Sequence, residues 1–556
     1  MTELLVVAVT ALVVIAAATE FGPRLGIAAP LVLVAIGVAA SFLPVFGSVH
    51  IEPEWILEGV LPPLLYSSAV SMPAMNFRRE FGAISGLSVI LIIGSALLLG
   101  VFFMLVVPQI GFAWGVALGA IVSPTDAVAT SIIKQMAVSK RVVALLDGES
   151  LLNDATALVM LRAAIVATSA AFSFWGAAGS FVYSVLVALV VGGFVGWLNL
   201  LIRKRVTDPT VNTVISFAVP FAAAVPATYL GASGLVAAVV AGLITGIRAP
   251  RDLSPQNRLS DSQNWRTVEL VLEGAVFLTM GLQIKSIVTN VENDHSGVAN
   301  AVLIAAGAFG LTVLVRAAYV VPLLGVLVGR ARHGAGMQRQ LQEMQDQMST
   351  PEGKQQTFAQ MNNRKRQASE RELDYFTRRI TQGLANIEYF LREPLGWREG
   401  IAVVWAGMRG AVTVAAAQTL PEDTPQRSVL VLIAYAVAAI SLLVQGGTIG
   451  PLLRLITPKV DQATLDEQTH AERTRIFDLM RTSAESVPKP ENPENDRTAQ
   501  GFERARQHRL AMLTAQRAAL LDARDNGTFD ADVLANALAN LDASEIEMQM
   551  RGRFAS

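Results

Sequence analysis

Apolar runs long enough to cross the roughly 30 Å of hydrocarbon in a bilayer recur about thirteen times along this 556-residue chain. They fall near residues 4–21, 25–43, 54–72, 83–107, 112–133, 149–170, 175–202, 210–229, 232–247, 267–288, 299–328, 398–419 and 428–455. In lipid every backbone donor and acceptor must be satisfied within the protein, so runs of this kind form helices. The expected fold is an all-α polytopic membrane protein. Composition agrees, with 52% hydrophobic and 16% charged residues and a mean hydropathy of +0.46. A net charge of −1 gives no footprint for nucleic acid. The absence of cysteine excludes disulfides and thiolate sites, and five scattered histidines lack metal-ligand spacing. The first run starts beside Glu3 without a basic leader and is followed at once by another, so it is expected to stay in the mature protein.

Basic residues occupy every second connection: Arg24, then Arg78 and Arg79, then Lys134, Lys140 and Arg141, then Arg203 to Arg205, then Arg248, Arg251 and Arg258. The intervening loops are short and carry Glu52, Glu292 and Asp294 instead. Positive charge stays on the cytoplasmic side, so the N-terminus is expected outside and the C-terminus inside. Two polar blocks break the pattern. Residues 1–329 and 396–457 are expected to form the transmembrane part, 330–395 a cytoplasmic helical insertion, and 458–556 a cytoplasmic helical tail with regulation as one role. Within the tail, Asp522 to Gly527 lacks the alternating acids of a calcium loop and predicts a helix–turn–helix hairpin.

Charged residues inside apolar runs carry the chemistry. A carboxylate at bilayer depth costs about 2.5 to 3.5 kcal/mol, and such groups mark ion or proton pathways. Asp126 follows Ser123-Pro124-Thr125, where proline removes a backbone donor and disfavours helix at the preceding residue. An unwound segment at this depth lines a cavity, and half-helix ends hold ions there. Asp126 would offset the positive end of the following half-helix. Asp154 lies in Gly148-Glu-Ser-Leu-Leu-Asn-Asp154, and helical spacing puts Ser150 on its stripe and Glu149 on that of Asn153. Asp154, Ser150, Thr125 and the Asn153 carbonyl together offer oxygens suited to a small monovalent cation. A carboxylate in a low-dielectric cavity holds its proton more readily, so proton and cation compete for Asp154. The other outcome is a loop ending at Asp147-Gly148 that exposes both acids. Arg316 has no partner in its own run and requires Glu149 or Glu273 from another. Arg409 sits in Gly407-Met-Arg-Gly-Ala-Val-Thr413, a glycine-interrupted run late in the chain. Paired broken runs point to inverted repeats and a midplane site, with Arg409 opposite negative half-helix ends.

Ser123-Pro-Thr-Asp-Ala-Val-Ala129, Gly148 to Asp154, Leu61-Pro-Pro-Leu-Leu-Tyr66 and Gly407 to Val412 resemble, in order, the motifs of sodium/proton exchangers of the monovalent cation:proton antiporter family, in the branch with an Asn-Asp pair. The resemblance covers about residues 1–455. It implies thirteen helices with two broken crossing helices, a dimerisation domain, a mobile core domain, homodimers and elevator-like alternating access in a bacterial cell membrane. By the same resemblance Asp154 is the exchanging carboxylate, Asn153 its companion, Thr125 and Asp126 the crossing-helix pair, Ser150 a further Na⁺ ligand, and Glu149 with Arg316 a structural ion pair. It further implies electroneutral exchange of Na⁺ or Li⁺ for H⁺, without a cofactor, in the service of pH and sodium homeostasis. Many relatives place an acid just after Tyr66, where this chain has Ser67, which bears on cation affinity. The competing expectations are a K⁺/H⁺ antiporter, and outside antiport a cation channel or a membrane sensor.

Overall fold

The computed structural model describes the chain except residues 1, 26, 44–51, 108, 127, 135, 137, 169–173, 294–296, 351, 353–354, 356–369, 457–461, 490–498 and 555–556. Among the described residues it is helical throughout, with no strand. Eight helices are long and apolar enough to cross a bilayer by length and composition, and Leu5–Phe21, Ala29–Ser41 and Phe112–Val122 are shorter apolar helices. Two compact units account for the chain: residues 1–253, 259–324 and 397–457 form the first, and 254–258, 325–396 and 458–556 the second.

The first unit contains helices α1 (Thr2–Phe21), α2 (Ala29–Ser41), α3 (Leu61–Ser71), α4 (Ala74–Ser85) and α5 (Leu91–Val106). A π-helical turn, Trp55–Val60, leads into α3. Pro62 and Pro63 cannot donate to the carbonyls one turn earlier, and the Leu61 amide reaches Ile56 instead. The helix through α4 and α5 runs unbroken from Ala74 to Val106, so Arg78 and Arg79 belong to its first turns and not to a loop. Charged side chains do not end a helix; only Pro73 stands before this one.

The chain continues as α6 (Phe112–Val122), α7 (Val128–Lys134), α8 (Lys140–Ala167), α9 (Phe174–Arg203), α10 (Pro209–Tyr229), α11 (Gly234–Asp252) and α12 (Pro255–Leu282). α8 begins at Lys140, so Asp147 and Gly148 lie inside it, and the loop end considered from sequence does not form. Arg141 on α8 pairs with Glu80 on α4 at 2.6 Å, and both are buried. α3 and α11 meet through small residues, because a Cβ at Gly242 would come within 2.7 Å of the Tyr66 carbonyl. Tyr66, Trp265, Val219 and the alanines of α10 and α11 form an apolar cluster beside them. Beside it the Trp265 indole N–H donates to Ser216 at 2.8 Å and Asn199 to Thr245 at 3.1 Å.

After α13 (Ile284–Asn293), helix α14 runs 52 residues, Val298–Ser349, and passes from the first unit into the second. The second unit adds α15 (Glu370–Arg392), after which the first resumes with α16 (Trp397–Trp405), α17 (Ala411–Gln418), α18 (Arg427–Ser441) and α19 (Gly447–Ile456). The tail forms α20 (Gln462–Glu485), α21 (Ala499–Asn526) and α22 (Ala531–Phe554) around Ile476, Leu513, Leu520, Leu534 and Leu541. Gly527, in the left-handed region at φ 74°, turns the chain between α21 and α22. Within this unit Arg258 donates to Asp542 at 3.0 Å, and Asp542 also accepts from Arg517 at 2.8 Å.

Candidate functional site

Helix α6 stops at Val122 and α7 starts at Val128; α16 stops at Trp405 and α17 starts at Ala411. The two unwound segments meet, with the Asp126 amide donating to the Met408 carbonyl at 2.7 Å. Each carries one charged side chain matched to the helix ends around it. Asp126 Oδ1 accepts from the Val128 amide at 3.3 Å at the start of α7. Its carboxylate also packs on Gly410, which precedes α17, so closely that a Cβ there would overlap it. Arg409 does the converse. Its Nε donates to the Val122 carbonyl at 3.0 Å, its guanidinium also reaches the Gly407 carbonyl, and it is buried. The positive helix ends thus face a carboxylate and the negative ends a guanidinium.

α8 supplies the second layer. Glu149, fully buried, pairs with Arg316 of α14 through both oxygens, one at 2.7 Å. Arg316 Nε donates to the Val403 carbonyl of α16 at 2.9 Å. Glu149 is therefore the partner that Arg316 required; Glu273 is not. Thr125 donates its hydroxyl to Glu149 at 3.1 Å, and Asn153 donates at 2.8 Å to both the hydroxyl and the carbonyl of Thr125. Ser150 donates to the Asp147 carbonyl one turn earlier at 3.0 Å, leaving its oxygen lone pairs open to a ligand.

A cavity of about 100 Å³ lies against these residues, room for a few water molecules or one partly hydrated monovalent cation. Asp154, Ser150, Thr125 and Asp126 line it; Asn153, Glu149, Arg316 and Arg409 do not. Asp154 is 9% exposed, and among the described residues no hydrogen bond or ion pair engages it. Asn153 stands behind Thr125, with its own carbonyl oxygen buried and unpartnered. Two acids not singled out from sequence for this wall, Glu269 and Glu273 of α12, line the cavity as well. Ser67 meets one of them, donating to Glu269 at 3.4 Å. The legible signal was two acids four residues apart inside an apolar run, which places them on one helix face.

The transmembrane sodium/hydrogen exchanger family matches residues 8–361 and 371–455, a span that includes every residue of this cavity. The chain belongs to that family. It is a multi-pass cell-membrane protein, and its family consists of transporters. An uncharacterised Na⁺/H⁺ exchanger of Mycobacterium tuberculosis is 26% identical over 98% of this chain and 96% of its own length. A sodium, potassium, lithium and rubidium/H⁺ antiporter of Bacillus subtilis is 30% identical over 48% of this chain and 41% of its own. The structure of the sodium proton antiporter MjNhaP1 from Methanocaldococcus jannaschii superposes with a TM-score of 0.55 at 15% identity, covering 82% of this chain and 100% of that one. This last likeness is one of fold.

Proposed function

We propose that the chain exchanges Na⁺ or Li⁺ for H⁺, one for one and without net charge movement, by competition of the two ions for Asp154 under alternating access. The observation that carries this reading is the isolation of Asp154, a buried carboxylate facing a cavity with no partner among the described residues. A bare carboxylate in low dielectric is costly, so it is neutralised either by a proton or by a cation. Ser150, Thr125 and Asp126 supply the remaining oxygens on the cation side. Asn153 fixes Thr125 without adding a charge, which supports electroneutral exchange. The charge-matched crossing segments support two broken helices related as inverted repeats, with the N-terminus outside and the C-terminus inside. Homodimers, a role in intracellular pH and sodium homeostasis, and cytoplasmic placement of the insertion and tail complete the reading.

A second reading, K⁺ as an additional cargo, is favoured by the name of the Bacillus relative, which includes potassium. Proton movement in everted vesicles, followed by dequenching of a pH dye on addition of Na⁺, Li⁺ or K⁺, tests both. Na⁺ and Li⁺ are expected to dequench in the wild type and not in Asp154→Asn, with the variant still assembled in the membrane. Undiminished dequenching by that variant would remove Asp154 from the centre of the mechanism. Current without coupled proton flux would mark a channel instead.

A further inference from the structure

Glu269 is one of two acids of the cavity wall that the exchange reading leaves unused, the other being Glu273. It lines the cavity one helical turn before Glu273 on α12. Ser67 of α3, itself buried, donates to Glu269 Oε2 at 3.4 Å and fixes it against that wall. Among the described residues no Lys, Arg or His lines the cavity. Lys134 and Arg266 act on Glu269 only through space, and neither forms an ion pair with it among the described residues. Asp154, nine-tenths buried and unpartnered, opens onto the same space. The wall is therefore negative on two sides, with low-dielectric material around it, an arrangement that raises the local concentration of cations.

α12 begins at Pro255, with Arg248 and Arg251 in the last turns of α11 and Arg258 in its own first turn, an end that the charge pattern assigns to the cytoplasm. Of the two α12 acids that line the cavity, Glu269 is the nearer to that end. We infer that Glu269, held by Ser67, is the affinity-setting residue for the cation approaching Asp154 from the cytoplasmic side. It acts through its charge on the entering ion, while Asp154 carries the exchange.

This inference rests on the antiport reading, and the test separates the two. Half-saturating Na⁺ and maximal rate are measured by dequenching in everted vesicles for wild type, Glu269→Gln, Glu269→Asp, Ser67→Ala, and the transposed pair Ser67→Asp with Glu269→Ser. Glu269→Gln is expected to raise half-saturating Na⁺ about three- to tenfold, more than it lowers the maximal rate, with a smaller gap at high choline chloride. Glu269→Asp and the transposed pair should stay near wild type, and Ser67→Ala should shift part of the way. An active wild type with half-saturating Na⁺ in Glu269→Gln within about twofold of normal overturns the assignment while leaving antiport intact. Should the Gln variant fail to assemble, an unshifted Ser67→Ala does the same. A wild type that moves no protons in response to any of the cations overturns both.

Discussion

Asn153 uses its amide twice on Thr125, and this fixes what a change there can do. Asn153→Asp replaces a donor by a group that donates only while protonated, facing the Thr125 carbonyl. The thermal midpoint of the variant in detergent is therefore expected to fall below wild type as pH rises from 5 to 8, and to approach it at the acid end. A midpoint difference independent of pH would show that the two hydrogen bonds contribute little. Gly410 presents a harder limit. Any Cβ there overlaps the Asp126 side chain, whose amide joins the two crossing segments. Gly410→Ala is expected to abolish exchange and reduce the monodisperse fraction on size exclusion, whereas Gly94→Ala, with open space around its Cβ, should do neither.

At the scale of helices, buried ion pairs fix one element against another. Arg141 and Glu80 join α8 to α4 away from the cavity. Removing one partner leaves an uncompensated buried charge and should cost about 3 to 5 kcal/mol, most of it recovered when both become apolar. Thermal denaturation of Glu80→Leu, Arg141→Met and the double variant reads this; equal loss in all three would refute it. A pH effect belongs to the start of α10. The backbone amides of Val211 and Thr210 hold the Asp208 carboxyl below the usual carboxylate range. A lowered folded value stabilises above the unfolded pKa and is lost as pH falls through the folded one. Asp208→Ala should therefore lower the melting temperature at pH 7 and converge on wild type in acid. The apolar runs, the break at Pro124 and the acids of α8 were all legible in the sequence, because each departs from what lipid permits. Helix ends were less so. Arg78, Arg79, Asp147 and Gly148 read as loop yet sit inside helices, since tertiary partners such as Lys134 for Asp147 and Arg141 for Glu80 satisfy charges that hydropathy counts as exposed. Glu269 escaped notice because its place on the cavity wall depends on α3 and α8, which no local pattern on α12 records.

For the molecule as a whole, the tail helices possess their own apolar core, and within the same unit Arg258 and Arg517 share Asp542. Truncation near Asp461 is expected to leave exchange measurable while shifting its pH dependence; total loss of assembly would make the tail a structural requirement. The solitude of Asp154 has one last consequence. With Arg316 engaged by Glu149 and Arg409 by backbone carbonyls, no cation among the described residues neutralises that carboxylate when it is vacant. If the proposed exchange holds, a carrier returning without cargo would have to drag a naked anion through oil, so the return stroke would stall until something is picked up. Under the exchange proposed above, tight coupling and resistance to dissipating either gradient in an idle cell would then come from a missing neighbour.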